Sequence, residues 1–307
     1  MSALRPAPHP GCALCVLRQR RAFTRLLAGA GLAAATGLGH AQDAAEPGLR
    51  GEVGRASRLS SLVPAEQVEG AAAQQYQQML REYSARRALA PAEHPQLVRL
   101  RAIAQRIIPF APAWNERARQ WRWEVNLLGS KEINAFCMPG GKIAFYYGIL
   151  QQLQLSDDEV AMIMGHETAH ALREHARERM GKSMATRGVI ELGSALLGLG
   201  QVGRGVADIG GQLLSLKFSR DDETEADIVG LDLAARAGYD PEAGVTLWRK
   251  MMAMNRGAPP QWMSTHPASD TRIREIQARL PKVLPLYERA AKPPRRFAPP
   301  PAAEVAR

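Results

Sequence analysis

Apolar residues recur at helical spacing through most of this 307-residue chain, and strict alternation of polar and apolar residues is confined to a short central stretch. The helical pattern predicts helices at 65–90 and 95–108, and the alternation predicts strands at 121–128, 133–138 and 143–147. The turn Pro139-Gly140-Gly141 joins the last two strands as a hairpin. The pattern therefore predicts the α+β class, with a mostly helical domain and a small β-sheet.

A further helix is predicted to begin at a capping box. Ser156 has the residue type of an N-cap, and Glu159 stands three positions later, where its side chain can reach back to the N-cap. Apolar residues then recur at helical spacing, which predicts a helix from Asp157 to about Met180. This helix carries the most informative residues of the chain, the motif His166-Glu167-Thr168-Ala169-His170.

The motif has the spacing of a metal site. On a helix, residues four positions apart share one face, so the imidazoles of His166 and His170 can bind one ion. Glu167 lies next to them, where its carboxylate can take a proton from a water that zinc activates. This equipment suits hydrolysis of a peptide bond. The alternative is an amphipathic helix with two incidental histidines, and the rest of the sequence must discriminate between the two.

A catalytic zinc takes three protein ligands and keeps one open position. An acidic segment at the start of a downstream helix offers the third ligand, because Glu223 and Asp227 lie four positions apart on one face. Glu223 can bind zinc, and Asp227 can accept the free ring N–H of a ligating histidine and fix its tautomer. The alternative is a solvated helix start. His175, five positions after His170, is rotated off the ligand face and is predicted to take a surface or supporting role.

Several blocks, in order along the chain, carry a family resemblance. They are Asn134 to Gly141, the motif at His166, Glu167 and His170, Glu223 with Asp227, Gly238 to Pro241, Ser264 to Pro267, and Arg272-Ile273. Over residues 65–282 the chain resembles the HtpX-like and CAAX-prenyl-protease-type zinc metallopeptidases, family forty-eight of the metallopeptidases. Within it, the chain is most similar to the exported soluble branch with the BepA-like and LoiP-like proteins. Cys137 departs from the small apolar residue usual there, which leaves the metal residues unaffected.

The resemblance implies a zincin-like metalloprotease fold, with the hairpin at the edge of the active-site cleft. It implies that His166, His170 and Glu223 bind one Zn²⁺ ion per chain, that Glu167 is the catalytic base and that Asp227 supports a ligand. Two rivals remain: a latent protease that acts mainly as a chaperone or assembly factor, and a structural zinc protein with four protein ligands. The intact Glu167 argues against both, since neither needs a carboxylate there.

Two further groups of residues gain a role from the resemblance. Asn134, Ala135 and Phe136 match a strand at the edge of the cleft, which would bind the substrate backbone by strand addition; alternatively, they form only a structural strand. Pro267 keeps His266 in a loop, and His266 matches a residue that can be a fourth zinc ligand and act as a gate. Alternatively, His266 anchors its loop or caps the next helix.

Composition adds a targeting prediction. The chain has a net charge of +10, and 46% of its residues are hydrophobic, enough for one sizeable core. Residues 1–41 hold five arginines, no acidic residue and an apolar run, which predicts a cleaved signal peptide of the twin-arginine or the ordinary Sec type. The exported chain would be periplasmic, either free or membrane-associated. No basic patch is interleaved with aromatic residues, so we expect no nucleic-acid partner.

The rest of the sequence divides into three parts. Residues 42–64 are polar and predict a loose N-terminal arm, residues 65–282 form the peptidase domain, and residues 283–307 predict a Pro-rich disordered tail. Within the domain, residues 188–216 are apolar and Gly-rich, without a run long enough to span a membrane. They predict a lid beside the cleft, plain core, or a membrane or partner surface.

The expected function is a zinc metalloendopeptidase with protein or peptide substrates. Export and the resembling branch together suggest misfolded envelope proteins as substrates, in envelope protein quality control or outer-membrane protein assembly. Contact with the membrane surface or with an outer-membrane assembly partner is part of that expectation. The sequence determines neither the cleavage preference nor the oligomeric state.

Overall fold

A computed structural model of the protein describes residues 48–196, 217–254 and 260–302, with the side chains of 187–196 left out. In these residues the helices are α1 (Ala65–Ala85), α2 (Pro95–Ile107), α3 (Tyr147–Leu153), α4 (Asp157–Leu172), α5 (His175–Leu196), α6 (Arg220–Arg236), α7 (Ala243–Met254), α8 (Gln261–Thr265) and α9 (Asp270–Arg289). The strands are β1 (Glu124–Leu128), β2 (Ala135–Met138) and β3 (Lys142–Tyr146). The predicted α+β class, mostly helical with a small sheet, is confirmed.

The sheet has the order β1-β3-β2, with β3 in the middle. β2 and β3 pair antiparallel through the predicted hairpin, whereas β1 pairs with β3 in parallel. All five residues of β3 are buried, as expected for the central strand. β2 is an edge strand and packs against α4. One edge of the sheet therefore lies beside the helix that carries the two motif histidines.

The hairpin turn depends on two glycines. Gly140 and Gly141 have φ angles of 81° and 76°, a backbone conformation that only glycine adopts at little cost. A Cβ atom on Gly141 would also lie 2.7 Å from the ring of Trp123. The turn thus holds the register in which Ala135 of β2 pairs with Phe145 of β3.

Helix α4 begins as predicted and ends earlier. The Ser156 side chain accepts the N–H of Glu159 at 3.2 Å, and the Glu159 carboxylate accepts the N–H of Ser156 at 2.8 Å, which completes the capping box. All but one of the residues of α4 are buried. The predicted end near Met180 is wrong, because α4 stops at Leu172 and Glu174 takes a left-handed conformation with φ 58°. A left-handed residue cannot continue a right-handed helix, so the chain turns before α5 begins.

Helices α4 and α6 cross with their backbones in contact. A Cβ atom on Gly165 would lie 2.8 Å from the carbonyl oxygen of Gly230, and a Cβ on Gly230 would lie 2.8 Å from the backbone nitrogen of His166. Only glycine at both positions allows this approach. Glu223 stands seven residues before Gly230, about two helical turns. The crossing therefore sets the distance between Glu223 and the histidine face of α4.

We expect Gly165→Ala to destabilise the metal-free protein by about 1–3 kcal/mol, because the new methyl group must push α6 away. The sign of the change in the free energy of unfolding is informative, since replacing Gly by Ala inside a helix ordinarily stabilises the protein by roughly 1 kcal/mol. Urea unfolding measures the change. Gly70→Ala in α1 is the matched control: nothing lies within 4 Å of its added Cβ, so its stability should rise. Equal behaviour of the two variants would show that the helices separate freely.

The start of the described chain is packed onto the domain, which differs from the predicted loose arm. Leu49 is fully buried, and its N–H donates to Oδ2 of Asp232 at 3.1 Å. The 3₁₀ turn Arg58–Leu62 packs against α5. Because a buried backbone N–H needs a partner, the Asp232 bond anchors this segment. The predicted signal peptide and most of the predicted lid lie outside the described residues.

The C-terminal segment also differs from the prediction of a disordered tail over 283–307. Helix α9 continues to Arg289, and residues 290–302 run across the start of α4. The N–H of Phe297 donates to Oδ2 of Asp157 at 2.8 Å, and carbonyls of the proline-rich part accept hydrogen bonds from glutamine side chains. Proline lacks an N–H donor, but its carbonyl still accepts, so a proline-rich segment can be held in this way.

Among the described helices, none is long and apolar enough to cross a membrane.

Candidate metal centre and active-site cleft

Four side chains from separate segments meet in the interior of the domain. His166 and His170 come from α4, Glu223 from the first turn of α6, and His266 directly follows α8. One potential ligand atom from each lies within 4.8 Å of the others, and all four residues are buried. The Nε2 atoms of His166 and His170 are 3.1 Å apart, and Nδ1 of His266 lies 2.8 Å from Oε1 of Glu223. The structure thus brings the three predicted ligands together with the predicted gate residue.

The donor set fits zinc. Zinc–nitrogen bonds of about 2.1 Å in a tetrahedron separate two ligand atoms by roughly 3.4 Å, and Nε2 of His170 lies 3.5 Å from Oε1 of Glu223. Within the part of the chain that the structure describes, Oε2 of Glu223 is buried without a hydrogen bond, although Nη1 of Arg272 lies 2.6 Å away outside hydrogen-bond geometry. Burial lowers the pKa of His170 well below its usual range, which keeps the ring in the neutral form that binds a metal. Imidazole nitrogens with a carboxylate oxygen are ligands that zinc prefers.

Two acidic residues of α6, Glu223 and Asp227, lie buried among positively charged and imidazole side chains. Burial raises the pKa of Glu223, but His266, His170 and Arg272 outweigh burial and hold the pKa well below its usual value. Burial likewise raises the pKa of Asp227, and Arg272 with His166 more than offset the effect, so that pKa is lowered as well. Both side chains are therefore ionised acceptors in the interior.

Asp227 supports His166, and Arg272 in turn supports Asp227. Oδ1 of Asp227 lies 3.1 Å from Nδ1 of His166, so it can accept the ring N–H and leave Nε2 free for a metal. Nη2 of Arg272 donates to the same carboxylate at 2.8 Å. The guanidinium lies 3.6 Å above the ring of Trp248, a cation–π contact that fixes its plane.

Glu167 lies beside the donor cluster and is buried. Its Oε1 accepts the indole N–H of Trp262 at 2.7 Å and lies 3.5 Å from Nε2 of His266. Trp262 is fully buried, and its ring stacks on Trp248 with centroids 5.0 Å apart. The orientation of the Glu167 carboxylate is therefore set by α8, the same short helix that positions His266.

A cleft opens onto these groups. It is lined by the segment Asn134 to Pro139, by Glu167, His170, Ala171 and Ala176, and by Phe218, Thr265 and His266. Strand β2 forms one wall, and the three residues predicted to contact substrate, Asn134, Ala135 and Phe136, all lie on it or just before it. A peptide laid along this wall would pass the donor cluster and Glu167.

Sequence reasoning missed three residues at this site. Arg272 supports the ligands, Trp262 holds Glu167, and Phe218 stacks on the ring of His170 with centroids 3.9 Å apart. None has a fixed spacing to the motif, and a tryptophan or phenylalanine in an apolar pattern ordinarily indicates core. His175, predicted to take a surface or supporting role, is buried beside His170.

Comparisons with known proteins add relatives to this geometry. Residues 96–280 match the model of a family described as Peptidase family M48. The mitochondrial metalloendopeptidase OMA1 of Schizosaccharomyces pombe is 35% identical over 210 residues, which are 67% of this chain and 59% of that protein. The beta-barrel assembly-enhancing protease of Escherichia coli is 28% identical over 176 residues, 54% of this chain and 36% of that protein. The chain thus spans 59% or less of these two relatives.

The predicted periplasmic location is contradicted by these relatives. Homologues from two fungi, a plant and an animal (Schizosaccharomyces pombe, Saccharomyces cerevisiae, Arabidopsis thaliana and Bos taurus) are named as mitochondrial metalloendopeptidases. The prediction rested on residues 1–41, which are rich in arginine and free of acidic residues. Mitochondrial transit segments share that composition with export signals, so it did not discriminate between the two compartments.

The family match includes every residue of the donor cluster, together with Glu167, Asp227 and Arg272. It extends over more than half of the chain, and the Schizosaccharomyces pombe relative exceeds 30% identity across 67% of the chain. Sequence and site geometry agree on one assignment, and this chain belongs to peptidase family M48.

Proposed function

We propose that this chain is a zinc-dependent metalloendopeptidase that hydrolyses peptide bonds in unfolded polypeptides. The observation that carries the proposal is the buried donor cluster of His166, His170 and Glu223 with the carboxylate of Glu167 beside it; His170 and Glu167 also line a cleft. A purely structural zinc site has no use for a carboxylate in that place. The relatives named as metalloendopeptidases support the same activity.

The proposed chemistry divides the work among the residues of the site. His166, His170 and Glu223 would hold the ion, and zinc bound there would lower the pKa of a water molecule to about 7 and polarise a carbonyl oxygen. Glu167 takes the proton of the attacking water and then delivers it to the leaving amine. The indole N–H of Trp262 donates to Oε1 of Glu167 and so orients this carboxylate.

The cleft favours an extended substrate. Among the residues that the structure describes, strand β2 pairs with β3 on one side only, so the backbone groups of its outer edge can pair with a peptide by strand addition. Asn134, Ala135 and Phe136 line the cleft along this edge. A segment must be extended to pair in this way, so unfolded or misassembled polypeptides are the substrates that we propose. An outer-membrane assembly role would need the location that the relatives contradict, and it is not part of the proposal.

The test is cleavage of casein, an unfolded protein, by the purified wild-type protein and by the His266→Ala variant. We expect proteolysis that stops on addition of a zinc chelator and returns when Zn²⁺ is added back. A compact, disulfide-bonded protein such as native ribonuclease should remain intact under the same conditions. Absence of casein cleavage by both proteins, or cleavage that a chelator does not affect, contradicts the proposed function.

We propose in addition that His266 is a gate. Its Nδ1 lies 3.2 Å from Nε2 of His166, inside the donor cluster, and its Nε2 lies 3.5 Å from the carboxylate of Glu167. A fourth protein donor at a zinc site leaves no position for water or substrate. Trp262 lies in α8 and contacts Glu167. Displacement of α8 would therefore free the fourth position at the zinc and the Glu167 carboxylate together.

We expect His266→Ala to raise the basal rate of casein cleavage several-fold while one zinc per chain remains bound, because three ligands stay in place. Proteolysis and elemental analysis are measured on the same preparation. Ser264→Ala, in the helix just before His266, is the matched control: among the described residues its hydroxyl donates one hydrogen bond, to the carbonyl of Pro260 at 3.4 Å, so the rate should not change. A lower rate for His266→Ala with zinc retained would assign His266 to substrate binding or loop structure instead.

A further inference from the structure

His175 forms the second support of the metal centre. It is 1% exposed, and its Nδ1 lies 2.9 Å from Nδ1 of His170. Its Nε2 lies 3.3 Å from Oε2 of Glu225, and the same carboxylate oxygen accepts the Nε–H of Arg173 at 2.9 Å. These contacts form one continuous series of hydrogen-bonded side chains, from the proposed ligand His170 to the guanidinium of Arg173.

The break between α4 and α5 creates this arrangement. On an unbroken helix, five residues rotate the chain by about 500°, which would leave His175 roughly 140° away from the face of His170. Glu174 has φ 58° and turns the chain, so that α5 starts with His175 directly beside His170. The left-handed conformation of Glu174 costs about 1 kcal/mol or more. This conformation brings the next residue, His175, into contact with His170.

Hydrogen positions along the chain are fixed by its two ends. A guanidinium only donates, so Glu225 accepts from Arg173 and, as a carboxylate, accepts from Nε2–H of His175 as well. In the neutral tautomer with the proton on Nε2, Nδ1 of His175 is an acceptor for Nδ1–H of His170. His170 is left with its lone pair on Nε2, the atom that faces His166 and Glu223.

We propose that His175 is a positioning residue that, together with Glu225 and Arg173, locks His170 in the tautomer and ring orientation required for zinc. The inference rests on the zinc site of the proposed function. The two ligating histidines are then held in parallel ways: His166 by the carboxylate of Asp227, backed by Arg272, and His170 by the imidazole of His175, backed by Glu225 and Arg173.

The packing of the ring supports the assignment. Phe218 stacks on the face of His170, with centroids 3.9 Å apart and planes 22° apart, while His175 meets the ring nearer to perpendicular, at 71°. A stacked ring limits tilt but leaves rotation within the ring plane free. The hydrogen bond to His175 removes that freedom, so both contacts are needed to aim Nε2.

The experiment compares zinc affinity in His175→Leu and His175→Gln, measured by titrating the metal-free full chain with Zn²⁺ against a chromophoric chelator. Leu fills the space but cannot accept a hydrogen bond, and we expect its affinity to fall by about 10–100-fold. Gln has one acceptor and one donor on adjacent atoms and should restore most of the affinity. The Co²⁺-loaded proteins should show an altered visible absorption spectrum for Leu and a near-native one for Gln. His94→Asn, at the N-cap of α2, is the control and should bind zinc as the wild type does.

Two outcomes would overturn the inference: a zinc affinity of His175→Leu within about twofold of wild type, or equal losses in the Leu and Gln variants. Near-ultraviolet circular dichroism of the metal-free proteins checks that each variant folds. If His175→Leu does not fold, Glu225→Gln serves instead, since Glu225 is partly exposed and the change only weakens its hydrogen bond to His175. An unchanged zinc affinity and an unchanged Co²⁺ spectrum of Glu225→Gln would then reject the proposed role of His175, Glu225 and Arg173. A wild-type protein that binds no zinc refutes the proposed function rather than this inference.

Discussion

Replacing Glu167 by Gln should lower kcat for peptide hydrolysis by about 10²–10⁴-fold, the usual contribution of a general base. Gln has the shape of Glu and can still accept the N–H of Trp262 through its amide oxygen, so the fold and the position of the side chain should persist. It cannot take a proton from water at neutral pH. The loss should therefore lie in kcat, with KM and zinc content close to those of the wild type.

The measurement is casein cleavage with parallel zinc analysis, carried out in the His266→Ala background so that a closed gate does not mask the effect. Glu116→Gln is the matched control, because Glu116 lies on the surface and pairs only with Arg119 three positions along the same turn. Proteolysis by Glu167→Gln at the unaltered rate would show that another group is the base. Loss of zinc from this variant would instead make Glu167 part of the metal site.

The second large effect is expected for His170→Ala, which should lose stoichiometric zinc and, with it, all proteolysis. The variant keeps only His166 and Glu223 of the three proposed ligands, together with His266. Removing a ligand atom should weaken zinc binding by more than the roughly 10–100-fold that follows from removing a partner behind a ligand. Elemental analysis of the purified protein, about one zinc per wild-type chain and almost none in the variant, measures the result.

His94→Ala is the control for this prediction, because His94 lies at the start of α2 and is no member of the donor cluster. Full zinc retention by His170→Ala would remove His170 from the ligand set and leave His166, Glu223 and His266 as the three ligands. Such a result would also reverse the gate proposal, since His266→Ala would then lose the metal.

Local sequence signals determined much of the site. The capping box at Ser156 and the four-residue spacing of His166 and His170 placed both imidazoles on one helical face, since helix geometry depends on nearby residues alone. The same four-residue spacing placed Glu223 and Asp227 on one face of a second helix, which in the structure begins after Ser219. The hairpin with its glycine turn followed from alternation and turn chemistry.

Only the tertiary structure decided which residues of different elements contact one another. The approach of α4 and α6 depends on two glycines in different helices, Gly165 and Gly230, and neither has a signal in its own segment. Trp262 and Arg272 act through contacts with residues 95 and 45 positions away, and no local pattern encodes such partners.

The end of α4 shows the same limit at short range. Apolar spacing continues past Leu172, and a glutamate is not a typical helix breaker, so the sequence by itself predicted one long helix over what the structure divides in two. The left-handed conformation of Glu174 is stable only because the surrounding packing, including the contact of His175 with His170, compensates for its cost. Periodicity reports which residues can share a face, whereas the energy that bends a chain against its periodicity comes from tertiary contacts, which periodicity does not encode.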